Sequence, residues 1–135
     1  MHYYSLFAFK KLIPALFIAL FLFQFISSCQ QKPKLTGFDE ESWRKDVRGC
    51  GNKRKEMITT LEKVKPALIG LRHNYIIEIL GKPEGNSLEK SGQRKYYYFL
   101  EPGPHCQDKQ YIKDSEKVFI QFDALDRAQY ITFGK

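Results

Sequence analysis

Cys106 directly follows His105, with Glu101 upstream, and an adjacent Cys and His are the raw material of a thiolate nucleophile. The other histidines offer less. His73 has Glu78 five residues on, off register for two ligands on one helix face, and the stretch is not HExxH. Only His105 stands beside either Cys50 or Cys106 and no CxxC occurs, so a zinc site is not expected there. Asp123 and Asp126 flank a turn, where aspartate serves backbone hydrogen bonding. The sequence holds no phosphate-cradling glycine loop and no GxSxG elbow. The expectation is therefore no catalytic residue, no metal ligand and no enzyme. Cys106–His105 chemistry stays as an alternative that needs a free thiol.

The third cysteine, Cys29, closes a stretch of different character. Lys10 and Lys11 precede 15 uncharged, mostly apolar residues, Leu12–Ile26, and the small pair Ser27-Ser28 follows. A positive start, an apolar core and a small-residue exit make a secretory signal, and the core is short of the ~20 residues of a spanning helix. Ile26-Ser27-Ser28-Cys29 resembles the bacterial lipobox, an aliphatic residue, two small residues and a Cys. The resemblance implies cleavage before Cys29, a thioether-linked diacylglycerol on its sulfur and an N-acyl chain, with the thiolate as acceptor of the lipid. An uncleaved signal anchor, or a plain signal peptide with a coincidental Cys, is the alternative. No other cofactor is expected.

Removing residues 1–28 takes Lys10 and Lys11 and no acid, so the net charge falls from +7 to +5, 20 Lys and Arg against 15 Asp and Glu. These charges are scattered, without a basic helix or a basic-aromatic motif, which argues against nucleic acid. Anionic lipid or an acidic protein face suits a tethered basic domain better. Residues 29–135 allow one domain with a single modest core. Export also bears on Cys50 and Cys106, an even pair in an oxidising compartment, for which a disulfide is expected; two free thiols or a metal pair is the alternative.

The elements that must position these residues fall into two halves. Residues 29–37 form a lipidated tether with the polar run QQKPKL, and residues 38–135 the domain. Asp39 can cap a short helix with acids in its first turn, and Phe38 and Trp43 stand at the two positions of a hydrophobic staple. Gly49-Cys50-Gly51 interrupts that helix. Asn52 is placed to cap a second helix, Lys53–Lys65, whose apolar stripe is Met57, Ile58, Leu61 and Val64 and whose end is Pro66. Arg54, Lys55, Glu62, Lys63 and Lys65 then fall mostly on the other faces, and a solvated basic face accounts for the lysines. A third helix, Arg72–Leu80, buries Tyr75, Ile76, Ile79 and Leu80, stops at Gly81 and cannot continue through Pro83. Residues 84–94 read as a polar loop with a possible hairpin arm.

From Lys95 the period changes to two. The strands are Lys95–Leu100 (KYYYFL), Lys117–Phe122 (KVFIQF) and Gln129–Phe133 (QYITF), with a polar excursion carrying Cys106 between the first two. Helices first and an antiparallel meander after predict an α+β domain, its N-terminal helices on one face of a three- to four-stranded sheet. Tyr96, Tyr97, Tyr98 and Phe99 cannot all face one side of a strand. Either Tyr97 and Phe99, or Tyr96 and Tyr98, lie on the second face, covered by the Cys106 loop or serving as a protein-docking surface.

Gly70-Leu71 leading into a helix, the ending Leu80-Gly81-Lys82-Pro83, the aromatic strand and Phe122-Asp123 before the last strand resemble the SmpA/OmlA (BamE) family of small outer-membrane lipoproteins. They also resemble the wider β-lactamase-inhibitor-protein-like fold. Arg72 stands where that family has a small capping residue, and the segment from Asp39 to Gly51 is more similar to uncharacterised lipoproteins of Bacteroidetes type. The resemblance implies a helix pair on an antiparallel sheet, in an outer-membrane lipoprotein facing the periplasm. The expected function is non-catalytic: a membrane-anchored module binding an envelope protein, in outer-membrane maintenance or assembly, with no nucleic acid and no small-molecule substrate. The alternative is an inhibitor-type domain that plugs an enzyme cleft.

Overall fold

The computed structural model describes residues 32–135 except 90, 91, 109, 112 and 113; residues 1–28, expected as a leader, and Cys29, expected to carry lipid, lie outside the described residues. Among the described residues no helix is long and apolar enough to cross a membrane. Among the described residues four α-helices precede four strands, and the composition is α+β. The helices are α1 Glu40–Lys45, α2 Lys53–Glu56, α3 Ile58–Leu68 and α4 His73–Leu80. The strands are β1 Gly85–Leu88, β2 Arg94–Phe99, β3 Lys117–Phe122 and β4 Ala128–Gly134, in that spatial order and all antiparallel.

Helix α1 starts because Asp39 Oδ1 accepts the N–H groups of Glu41 and Ser42 at 3.1 and 3.0 Å. Phe38 and Trp43 close the staple, ring centroids 5.6 Å apart, and both are buried; the Trp43 indole donates to Leu80 O at 3.1 Å. The chain joins the core earlier than expected. Leu35 is buried and Lys32 pairs with Glu40 at 2.7 Å, so the segment from Lys32 belongs to the compact unit and not to a free tether reaching 37.

The helix expected over Lys53–Lys65 is two helices. Met57 breaks it, its N–H shared between the carbonyls of Lys53 and Arg54. Asn52 does not cap: its backbone is left-handed (φ 68°) and its side chain makes no capping bond. Asp46 takes the role from outside, Oδ1 accepting Gly51 N–H at 2.6 Å and Oδ2 accepting Arg54 N–H at 2.8 Å. Pro66 lies inside α3, which runs on to Leu68. A proline so near the C-terminus removes one hydrogen bond, and complete burial of Leu68 offsets that loss.

Helix α4 begins one residue later than expected and without a side-chain cap at Arg72. The β3–β4 turn supplies what the cap would have. Asp126 O accepts His73 N–H at 2.9 Å, and Gly70 N–H and Leu71 O pair with Ala128 at 2.8 Å each. Gly81 ends α4 at φ 81°, donating to Ile77 O. Ile76, Ile79 and Leu80 are buried while Tyr75 is half-buried against them.

Tyr96, Tyr98, Val118, Ile120, Phe122 and Ile131 form the sheet's inner side of the core, together with Trp43, Leu61, Leu68, Ile76, Ile79 and Leu80 from the helical half. Alternation then puts Lys95, Tyr97, Phe99, Lys117, Phe119 and Tyr130 on the outer face.

Candidate functional site

The outer face has a covered end and an open end. At the covered end Phe99 is buried beneath His105, the two rings parallel with centroids 3.7 Å apart. The Lys117 ammonium lies 5.7 Å and the Arg48 guanidinium 5.9 Å from the Phe99 centroid. His105 is itself pinned. Its Nε2 is 2.9 Å from Arg48 O, and because a carbonyl only accepts, Nε2 carries the hydrogen; Nδ1 is 2.6 Å from Ser115 Oγ. Burial pulls the Lys117 ammonium below its ordinary pKa, with Glu116 and Asp114 opposing.

Cys50 and Cys106 are joined, S–S 1.94 Å and Cα–Cα 5.8 Å, across 56 residues. This bond staples the Pro104–Cys106 turn to the Val47–Gly49 turn and so holds His105 over Phe99. Cys106 Sγ is 3.5 Å from His105 Nε2, and the ligand atoms of Cys50, His105 and Cys106 lie within 4.8 Å of one another. Chemically the cluster is a staple. A disulfide sulfur has no thiolate for attack or for ligation, and both ring nitrogens of His105 are engaged. Glu101 is turned away, bonded to Lys55 at 3.0 Å. His73 and Glu78 are not brought together either: His73 Nδ1 lies 3.8 Å from Asp126, whereas Glu78 pairs with Lys32. Asp123 does what a turn aspartate does, accepting from Leu125 and Arg127 N–H, and those bonds hold its pKa below the ordinary value.

At the open end Tyr97 and Phe119 are half-buried, ring centroids 6.4 Å apart, with the Lys95 ammonium 4.8 Å above Phe119 and Tyr130 exposed beyond. The Tyr97 ring lies across Gly85, where an added Cβ would collide with it. Burial and the Glu84 carboxylate raise the Tyr97 pKa, while Arg48 opposes. Of the aromatic quartet, then, Tyr96 and Tyr98 belong to the core, Phe99 is covered, and Tyr97 alone reaches the open surface.

Beside Tyr97 a groove of about 390 Å³ is lined by Val47-Arg48, Lys82-Pro83-Glu84, Tyr97 and Phe99. Glu84 belongs to a buried pair, not to the groove's charge. Both its oxygens lie 3.1 Å from Arg54 Nη1, and Oε2 also accepts Phe99 N–H. Arg54 donates further to Trp43 O and Phe99 O and lies 4.9 Å above the Trp43 ring. Expected on a face away from the apolar stripe, Arg54 is instead buried, 3% exposed. Lys65, assigned to the same face, reaches Ile131 O at 3.4 Å.

Nothing in the sequence pattern marks Arg48, Lys82, Arg54 or Glu84 as site residues. The single local cue was Gly81-Lys82-Pro83 as a helix exit, because no periodicity relates these positions. Comparison with family models, with curated proteins and with solved structures finds no match for this chain.

Proposed function

We propose that the chain is a lipid-anchored lipoprotein of the bacterial envelope, seated in the outer membrane and facing the periplasm. Its domain is a non-catalytic module that docks onto another envelope protein through the outer sheet face. The observation that carries the docking reading is that open end, where Tyr97, Phe119 and Tyr130 line up beside a groove and, among the described residues, no helix packs over them. The leader and Cys29 support the anchor, since diacylglycerol plus an N-acyl chain exceeds the single chain that binds only transiently. The resemblance to SmpA/OmlA (BamE) lipoproteins supports a place in outer-membrane maintenance or assembly.

Two measurements test this. The intact mass of protein extracted from native membranes should begin at Cys29 with lipid attached; a mass retaining residues 1–28 overturns the anchor. A benzophenone amino acid in place of Tyr97 or Phe119 should cross-link one envelope protein in membranes, and in place of Glu62 on α3 should not. Equal labelling at all three positions, or none at any, overturns the docking face.

A further inference from the structure

The groove beside Tyr97 has a charge and a direction. Its two cations, Arg48 and Lys82, have no ion-pair partner among the described residues, whereas the neighbouring acids are taken: Glu84 by Arg54, Glu101 by Lys55 and Glu89 by Lys95. A cavity lined by Tyr97, the edge of Phe99, Val47 and Pro83, and carrying two cations without an ion-pair partner among the described residues, complements a carboxylate next to an apolar side chain. Arg48 is held in place for this. Its backbone is left-handed at φ 60°, its carbonyl is bonded by His105, and Gly49 behind it packs so tightly that a Cβ would meet Phe99 O at 2.9 Å.

The direction comes from β1, which starts at the residue after Glu84 and is an edge strand exposed along most of its length. Glu89 N–H bonds Gln93 O, so by strand alternation Ser87 and Gly85 pair inward with β2. The N–H and C=O groups of Asn86 and Leu88 therefore point away from the sheet, and Leu88 is 75% exposed. An extended chain can satisfy such an edge; a lipid headgroup or a free anion cannot.

We propose that this groove and the β1 edge bind an extended acidic segment of a protein partner, with a carboxylate between Arg48 and Lys82 and its backbone along Asn86 and Leu88. This rests on the docking reading above and names the class of partner. The test uses the full chain in detergent micelles and a phage-displayed library of random dodecapeptides. Enriched peptides should pair Asp or Glu with aromatic or β-branched residues. They should bind at least tenfold more weakly to an R48Q/K82Q double variant, and more weakly as salt rises. A K45Q/K63Q variant, which removes the same charge from exposed helix positions, should bind them as the parent does. Near-UV circular dichroism of Trp43 checks that each variant is folded.

Failure to enrich peptides, enrichment of neutral or basic ones, or equal loss in both variants overturns the proposal. So does a double variant that loses binding only to phosphatidylglycerol vesicles, which would make the cations a headgroup site. If Tyr97 still cross-links an envelope protein in any of these cases, the docking reading stands and the acidic partner falls.

Discussion

Glu84→Gln is the sharpest test of how the two halves of the domain are joined. Arg54 and Glu84 are 3% and 10% exposed, and the pair ties α2 to the start of β1, while Arg54 also caps the carbonyls of Trp43 and Phe99. Gln keeps the volume and an acceptor for Phe99 N–H but leaves the guanidinium buried without a counter-charge. Removing one partner of a buried pair costs about 3–5 kcal/mol; the two carbonyls that remain bonded to Arg54 put this case at the low end, about 3 kcal/mol. For a domain of this size that lowers the midpoint by about 12–20 °C. Arg54→Met should cost about 4 kcal/mol, since it also gives up the contact over Trp43 and strands two carbonyls. The double variant should cost about 5 kcal/mol, less than the sum, because neither charge is then buried alone; the coupling is about 2 kcal/mol. Trp43 is the sole tryptophan and touches Arg54, so its fluorescence reports unfolding in urea and on heating. A Glu84→Gln cost below about 0.5 kcal/mol, or additivity within that margin, would refute the claim that this pair joins the layers.

Reducing the Cys50–Cys106 bond opens a loop of 56 residues and should cost about 4 kcal/mol by loop entropy. Thermal unfolding with and without reductant measures it, and alkylation should label two thiols only after reduction. Stability should fall as pH rises above the ordinary tyrosine value of 10.0, because burial keeps the Tyr98 phenol neutral in the folded chain while it ionises in the unfolded one. The sign follows from the unfolded state holding fewer protons there, at about 1.4 kcal/mol per pH unit, and Tyr98→Phe should flatten the slope in urea titrations between pH 9 and 11. Gly85→Ala should displace the Tyr97 ring, costing about 1–3 kcal/mol and shifting the cross-linking yield at Tyr97.

Much of this protein is written locally. The Asp39 cap, the Phe38–Trp43 staple, the Gly81 stop and the three main strands depend on neighbours a few residues apart, which periodicity and cap chemistry describe. The α+β class follows from the change of period near Lys95. What tertiary structure decided are the choices local pattern leaves equal. Arg54 and Lys55 are adjacent cations on one helix, yet Arg54 is buried because Glu84, Phe99 O and Trp43 O converge on it from remote segments, while Lys55 stays at the surface with Glu101. Alternation in KYYYFL allowed either pair of aromatics to face out; the core claimed Tyr96 and Tyr98, and the stapled loop then covered Phe99 and left Tyr97 at the rim. The cations Arg48 and Lys82 line one groove because the turn after α1 and the exit of α4 both lie beside β2. Sequence sets the elements; long-range pairing sets which charges are buried and which stay at the surface.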